Sequence, residues 1–301
     1  MWFRNLQIYQ LTDTFTLSAE ELHETFQENA FKPCQGLDKH RIGWTTPLGK
    51  HGEQLVHSTN GCLMVCMRRE DRILPASVVR DAIEEKVDEI EAKESRTVGR
   101  KEKSDIKEEV IVDLLPRAFT KSNRSYAYID PKNNWVILNC PTSNKAEEIL
   151  TLIRDSLGSF KVRPLAVKNA PSAIMTDWIK NKAPADVEVT DECELKEPVE
   201  NGGVIRIRGV DLGSDEVQQH LKSGKIASKL AIEWQQRLSC VLVEDLSIKR
   251  LKFMDLVMEE AGDTAADDEV MRFDADFALM SLELSRFIPV LCEYLGGVDN
   301  S

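Results

Sequence analysis

Two histidines and two cysteines lie close together at His51, His57, Cys62 and Cys66, and a zinc ion is held by such side chains. The spacing argues against a metal. Residues two apart share one face of a strand, so Cys62, Met64 and Cys66 read as a buried apolar stripe, and no second cysteine pair or H-x3-5-H follows. Gly43 to His51 (GWTTPLGKH) has the outline of a phosphate loop. It carries one residue too many between its glycines, Pro47 removes a backbone donor, and His51 stands where a magnesium-binding Ser or Thr is required. Asp245, Asp274 and Asp276 are carboxylates that a two-metal nuclease would use, yet Asp274 and Asp276 open an amphipathic helix, where acids favour the helix dipole. Neither G-x-S-x-G, H-E-x-x-H nor a dinucleotide glycine fingerprint occurs. The sequence therefore predicts no catalysis, no metal and no cofactor.

Positive charge is what the chain does concentrate. It holds 39 Lys+Arg against 51 Asp+Glu, a net charge of −12, so locally basic stretches run against the trend. Residues 96–124 hold eight bases against five acids, and residues 201–253 hold nine against six, whereas residues 254–301 hold two against twelve. A charge run is often only a solvated face. Two basic islands in an acidic chain are better explained by an anionic partner. The candidate phosphate-binding residues are Arg96, Arg100, Lys101, Lys103, Arg117, Lys121 and Arg124 in the first island. In the second they are Lys222, Lys225, Lys229, Arg237, Lys249, Arg250 and Lys252.

The elements that must position these residues follow from periodicity. Residues 3–11 alternate like a half-buried strand, and Ser18 and Glu21 have the capping-box spacing ahead of a helix. Short segments near 40–45 and 54–59 precede a stronger strand at 61–67. Pro75 opens a helix with Val79, Ile83, Val87 and Ile90 on one stripe. A second helix, capped by Ser104, carries Ile106, Val110, Ile111, Leu114 and Leu115. Such a pair packs antiparallel and holds residues 96–103 at the tip of a projection. Strands at 125–130 and 134–140 flank a turn, and a helix ending at Gly158 follows. Residues 168–200, with three prolines and eight acids against four bases, read mostly as linker, with a short helix at Asp177–Ile179. Strands at 204–208, 225–234, 237–243 and 248–253, a helix capped by Ser214 and a last helix with Phe273, Phe277, Met280, Leu284 and Phe287 on one face complete the chain. The class is α+β, with mixed or antiparallel sheets and a projecting helical hairpin. At 301 residues the chain is long enough for two or three domains. Its longest apolar run, 62–67, is far short of the ~20 residues a membrane helix needs. The N-terminus lacks a signal-peptide pattern, and seven scattered cysteines suit a reducing cytoplasm.

Segments spanning nearly the whole chain in one order resemble the bacterial recombination-associated RdgC family. They are Trp2-Phe3-Arg4-Asn5-Leu6, Ile73-Leu74-Pro75, Leu114-Leu115-Pro116-Arg117-Ala118-Phe119, Gly202-Gly203-Val204-Ile205-Arg206, Lys229-Leu230-Ala231 with Trp234-Gln235-Gln236-Arg237, Lys249-Arg250-Leu251-Lys252-Phe253 and Arg272-Phe273-Asp274-Ala275-Asp276-Phe277. The resemblance implies a cytoplasmic, nucleoid-associated protein that binds DNA, double-stranded or single-stranded, without sequence preference. It also implies a ring-shaped homodimer around a basic hole, which restrains RecA-type strand exchange by occupying DNA. On that pattern residues 1–75 and 117–170 form a central body and 76–116 a hairpin tip. Residues 171–270 form a β-rich base, and 271–301 a C-terminal helix packed on body or base. Phe119, between two basic positions, is the expected dimer contact. The bases of the tip loop are assigned from charge alone. A magnesium-dependent nuclease of DNA repair, or an adaptor that uses the hairpin to bind protein, are the rival readings.

Overall fold

A computed structural model describes residues 1–262 and 268–300. The chain opens with β1 (Leu6–Leu11) and α1 (Ala19–Phe26), where Ser18 and Glu21 form the expected reciprocal cap. β2 (His40–Thr45), β3 (Val56–Thr59) and the long β4 (Cys62–Ile73) lead into the hairpin helices α2 (Ala76–Glu94) and α3 (Arg100–Leu114). The chain returns through β5 (Phe119–Asp130), β6 (Trp135–Asn139), α4 (Ser143–Leu157) and β7 (Val162–Pro164). α5 (Pro171–Lys180), β8 (Val187–Lys196), β9 (Val204–Arg208) and α6 (Asp215–Lys222) come next, then β10 (Ile226–Trp234), β11 (Leu238–Val243) and β12 (Ile248–Phe253). α7 (Asp255–Gly262) and α8 (Glu269–Tyr294) close the fold. Among the described residues no helix is long and apolar enough to cross a membrane.

All the strands join one antiparallel sheet in the order β2-β4-β5-β6-β1-β12-β11-β10-β8-β9, with β3 beside β4 and β7 beside β1. The two halves meet where Leu6 faces Ile248 and the Leu251 amide donates to the Arg4 carbonyl at 2.8 Å. One face is covered along both halves. There α5, α6 and α8 bury Trp178, Leu221, Phe277 and Phe287 against Leu6, Met64, Tyr128, Leu230 and Trp234. On the opposite face α1 and α4 cover only the first half, packing Leu22, Phe26, Ile149 and Ile153 onto Val65, Ala127 and Val136. Strands β8, β9, β10 and β12 present polar and charged side chains on that side, the alternation expected of a half-solvated antiparallel sheet.

The hairpin has a core of its own, built from Val79, Val87, Val98, Ile106 and Val110. Lys86 ties α2 to Asp113 (2.9 Å) and Glu109 (3.1 Å) of α3. Deleting a buried Ile side chain to Ala typically costs about 2–5 kcal/mol. Ile106→Ala is therefore expected to loosen the hairpin while the sheet, which shares none of this core, melts unchanged. Limited proteolysis should then cut within residues 76–116 far faster than in the unaltered protein. Equal cleavage rates would contradict a separate hairpin core.

Two expectations are corrected here. Residues 168–200 are not mostly linker: they form α5 and β8, whose Met175, Trp178, Val187, Cys193 and Leu195 are buried. Ser104 does not cap α3, which begins at Arg100 after Gly99 and carries Ser104 inside it.

Candidate nucleic-acid interface

The first basic island divides into a tip and a ribbon. At the tip, Arg100, Lys101 and Lys103 occupy the first turn of α3, exposed and without an ion pair among the described residues. Cations at a helix N-terminus oppose its dipole, typically by about 0.3–1 kcal/mol each, so their position there does not serve the helix. Arg96 serves the loop instead. Its guanidinium grips Glu102 with two bonds of 2.7 Å and Glu94 with one of 2.6 Å, which raises its already high pKa further, Glu102 contributing most.

The ribbon is the far end of β4 and β5, where Arg124 lies opposite Arg68, Lys121 opposite Asp71 and Phe119 opposite Ile73. Like charges directly across an antiparallel pair are destabilising. Arg68 is neutralised by Glu70 at 3.3 Å and sits 4.2 Å above the Phe31 ring, whereas Arg117, Lys121 and Arg124 are exposed and form no ion pair among the described residues. Arg72 fixes the elbow by donating to the carbonyls of Leu115 (2.7 Å) and Pro116 (2.9 Å).

The second island falls mainly on the open face of the sheet. The Lys249 ammonium donates to the Pro141 carbonyl, and burial pushes its pKa down. At Arg250 the backbone is left-handed (φ 50°), at the point where the register with β11 shifts, and such bulges re-aim side chains. Arg250 pairs with Glu192 at 2.6 Å, Lys229 with Glu194 at 3.0 Å, and Lys252 is exposed with no ion pair among the described residues. Arg206 and Arg208 of β9 join this face, although sequence reading counted them without singling them out. The alternation in Val-Ile-Arg-Ile-Arg was the signal that places both on one side. Lys222 is exposed at the end of α6, and Lys225 lies 3.5 Å from Glu197. Arg237 does not belong to the face. It reaches inward to Glu283, 1% exposed, at 2.6 Å and to Glu260 at 3.0 Å.

The residues that suggested other chemistry are placed apart. His51 meets Glu269, and His57 and Thr59 both meet Asp274. Asp276 holds the N-terminal amine, and Asp245 accepts from the Ser247 amide at 2.9 Å. Cys62 and Cys66 are buried in the strand, which pushes both thiols up to about 12. Among the described residues no three His, Cys, Asp or Glu side chains gather as a metal site. Gly43 is explained by packing, since a Cβ there would lie 2.5 Å from the Phe31 backbone.

Comparison with known proteins bears on which of these arrangements matters. A sequence profile of the family described as "Putative exonuclease, RdgC" matches residues 1–298. The recombination-associated protein RdgC of Aeromonas hydrophila is 43% identical over 302 residues, covering 100% of both chains. That of Pseudomonas aeruginosa is 44% identical over 301 residues, covering 99% of this chain and 98% of its own.

The chain belongs to the RdgC family. These relatives are named recombination-associated proteins, and the α+β fold with a large antiparallel sheet agrees with the class expected from the sequence. Within this RdgC-family chain, Phe119 is 85% exposed beside a 44% exposed Ile73. A hollow of ≈ 530 Å³ at the hairpin root is lined by Leu74, Val79, Ile83, Ile111 and Leu115, with Lys39, Arg72, Arg80 and Lys107 also on its wall. Contiguous exposed apolar surface, as formed by the cross-strand pair of Phe119 and Ile73, marks an interaction site more often than a single exposed side chain does. Phe119→Ser is expected to reduce the mass of the protein in dilute solution and to weaken DNA binding, with secondary structure intact by circular dichroism. Unchanged mass and unchanged binding would remove Phe119 from both roles.

Proposed function

We propose that the protein binds DNA through the phosphate backbone without reading base sequence, as a homodimer closed into a ring around the duplex. By occupying DNA it restrains RecA-type strand exchange, in the nucleoid and without catalysing a reaction itself. The observation that carries this reading is the set of bases without an ion pair among the described residues, Arg100, Lys101, Lys103, Arg117, Lys121, Arg124 and Lys252, in an acidic chain. Those at the helix start, and Arg124 opposite Arg68, occupy positions that local electrostatics disfavour, which is expected of residues kept for a partner. Phosphate contacts position a protein on DNA and carry no sequence information. Self-association through Phe119 is supported by its exposure directly across the strand pair from exposed Ile73.

The family description favours a second reading, an exonuclease. Against it, the three carboxylates the sequence offered are separately engaged by His57, the N-terminal amine and Ser247. Magnesium-dependent loss of end-labelled DNA, retained on repurification and abolished by substituting one of these acids, would establish it.

Fluorescence anisotropy on two duplexes of unrelated sequence, titrated with salt, tests the main proposal. With about six phosphates engaged, log K should fall with log salt at a slope near −5, equally for both sequences. A flat response, or strong preference for one sequence, would overturn it.

A further inference from the structure

The open face of the sheet holds its bases in an unusual way. β8 lies between β9 and β10, and Glu192 and Glu194 project from it on the side where no helix packs among the described residues. Glu192 accepts from Arg208 at 3.1 Å and Arg250 at 2.6 Å. Glu194 accepts from Arg206 at 2.8 Å, from Lys229 at 3.0 Å and from the Ser228 hydroxyl at 3.0 Å. Two carboxylates two residues apart thus hold four cations drawn from β9, β10 and β12. The carboxylates sit low, with side chains 24% and 14% exposed, while Arg206 and Arg208 stand 76% and 71% exposed at the rim. A hollow of ≈ 610 Å³ opens above them.

Each guanidinium has five N–H donors in a fork suited to carboxylate or phosphate, and only part of that capacity is used here. A carboxylate that organises such a fork occupies the place a phosphate oxygen would take. We propose that Glu192 and Glu194 are internal stand-ins for DNA phosphates: they hold the four cations ready on the empty face and compete with DNA for them. This inference rests on the DNA-binding reading of the face and adds the residues that limit its affinity.

A purely structural role makes the opposite forecast. Ion pairs near the surface add little to stability, so cross-strand stapling alone predicts that neutralising the glutamates lowers stability slightly and does nothing for DNA. The Glu194 carboxyl shows how firmly the pairing is made. Burial works to raise its pKa, but the bonds from Arg206, Lys229 and Ser228 outweigh burial and hold it at about 2.

The test compares Glu192→Gln/Glu194→Gln with the unaltered protein, reading anisotropy on one duplex at several salt concentrations. The expected result is binding tighter by about tenfold at low salt, with the slope steeper by up to about 0.9 for each further phosphate neutralised. Unchanged or weaker binding by the folded variant overturns the inference. Lys249→Ala/Lys252→Ala serves as the control on the underlying reading. If that pair weakens binding while the glutamine variant does not strengthen it, the face binds DNA and the glutamates do not compete. If the unaltered protein shows no binding at low salt, the DNA reading fails and this inference with it. Glu192→Gln alone, which leaves the Glu194 cluster in place, decides the matter in the same sense should the double variant not fold.

Discussion

Replacing Arg237 with Ala is expected to destabilise the protein by about 3 kcal/mol and to leave the DNA affinity of the folded molecule unchanged. The guanidinium bonds both oxygens of the Glu283 carboxylate, at 2.6 and 2.9 Å, and reaches Glu260 at 3.0 Å. Removing one partner of a buried pair typically costs about 3–5 kcal/mol because the remaining charge stays desolvated. The low end applies, since Arg286 remains 3.2 Å from the same carboxylate. For a chain of this size such a loss lowers the melting temperature by roughly 5 °C. Thermal denaturation measures the first effect and anisotropy well below the transition measures the second. Adding Glu283→Gln should recover part of the loss, because the stranded charge is then gone. An unchanged melting temperature together with lost DNA binding would place Arg237 on the DNA face after all.

That residue also marks where sequence reading reached its limit. Arg237 stands among bases in the sequence, and only the turn before it directs it inward. Gln235 and Gln236 both adopt left-handed backbone, at φ 49° and 54°, with neither glycine nor asparagine to announce a tight hairpin. Arg96 looked like a tip base and is consumed by Glu94 and Glu102, because a local acid six residues along the chain is within reach only once the loop closes. β8 was hidden for a related reason. Its acids occupy the open face, and register shifts between Ala227 and Lys229 and between Leu230 and Ile232 on the neighbouring strand mark a pairing without strict alternation. What was legible had strong periodicity and local caps: the Phe277, Met280, Leu284 and Phe287 stripe of α8, the two hairpin helices, the Gly158 helix end and the strands of the last unit. The single sheet through both halves was not legible, since Leu6 meets Ile248 across nearly the whole chain and no local signal encodes such a pairing.

If the protein encircles DNA as proposed, bases on the tip and on the sheet face act on one ligand. Arg100→Ala with Lys101→Ala removes two exposed tip charges from a helix start they do not stabilise, so the hairpin should remain folded. Lys249→Ala with Lys252→Ala removes two from the sheet face, Lys252 being exposed and Lys249 held to the Pro141 carbonyl. For a site made of both surfaces, each pair should lower affinity on every DNA sequence and make the salt slope shallower by up to about 0.9 for each phosphate left unneutralised. A binder using one surface would leave the other pair silent. The deciding measurement is DNA affinity at three salt concentrations for both double variants, with circular dichroism confirming their fold. Weaker binding and a shallower slope are expected from both pairs; an effect from only one pair, or from neither, would contradict a shared site.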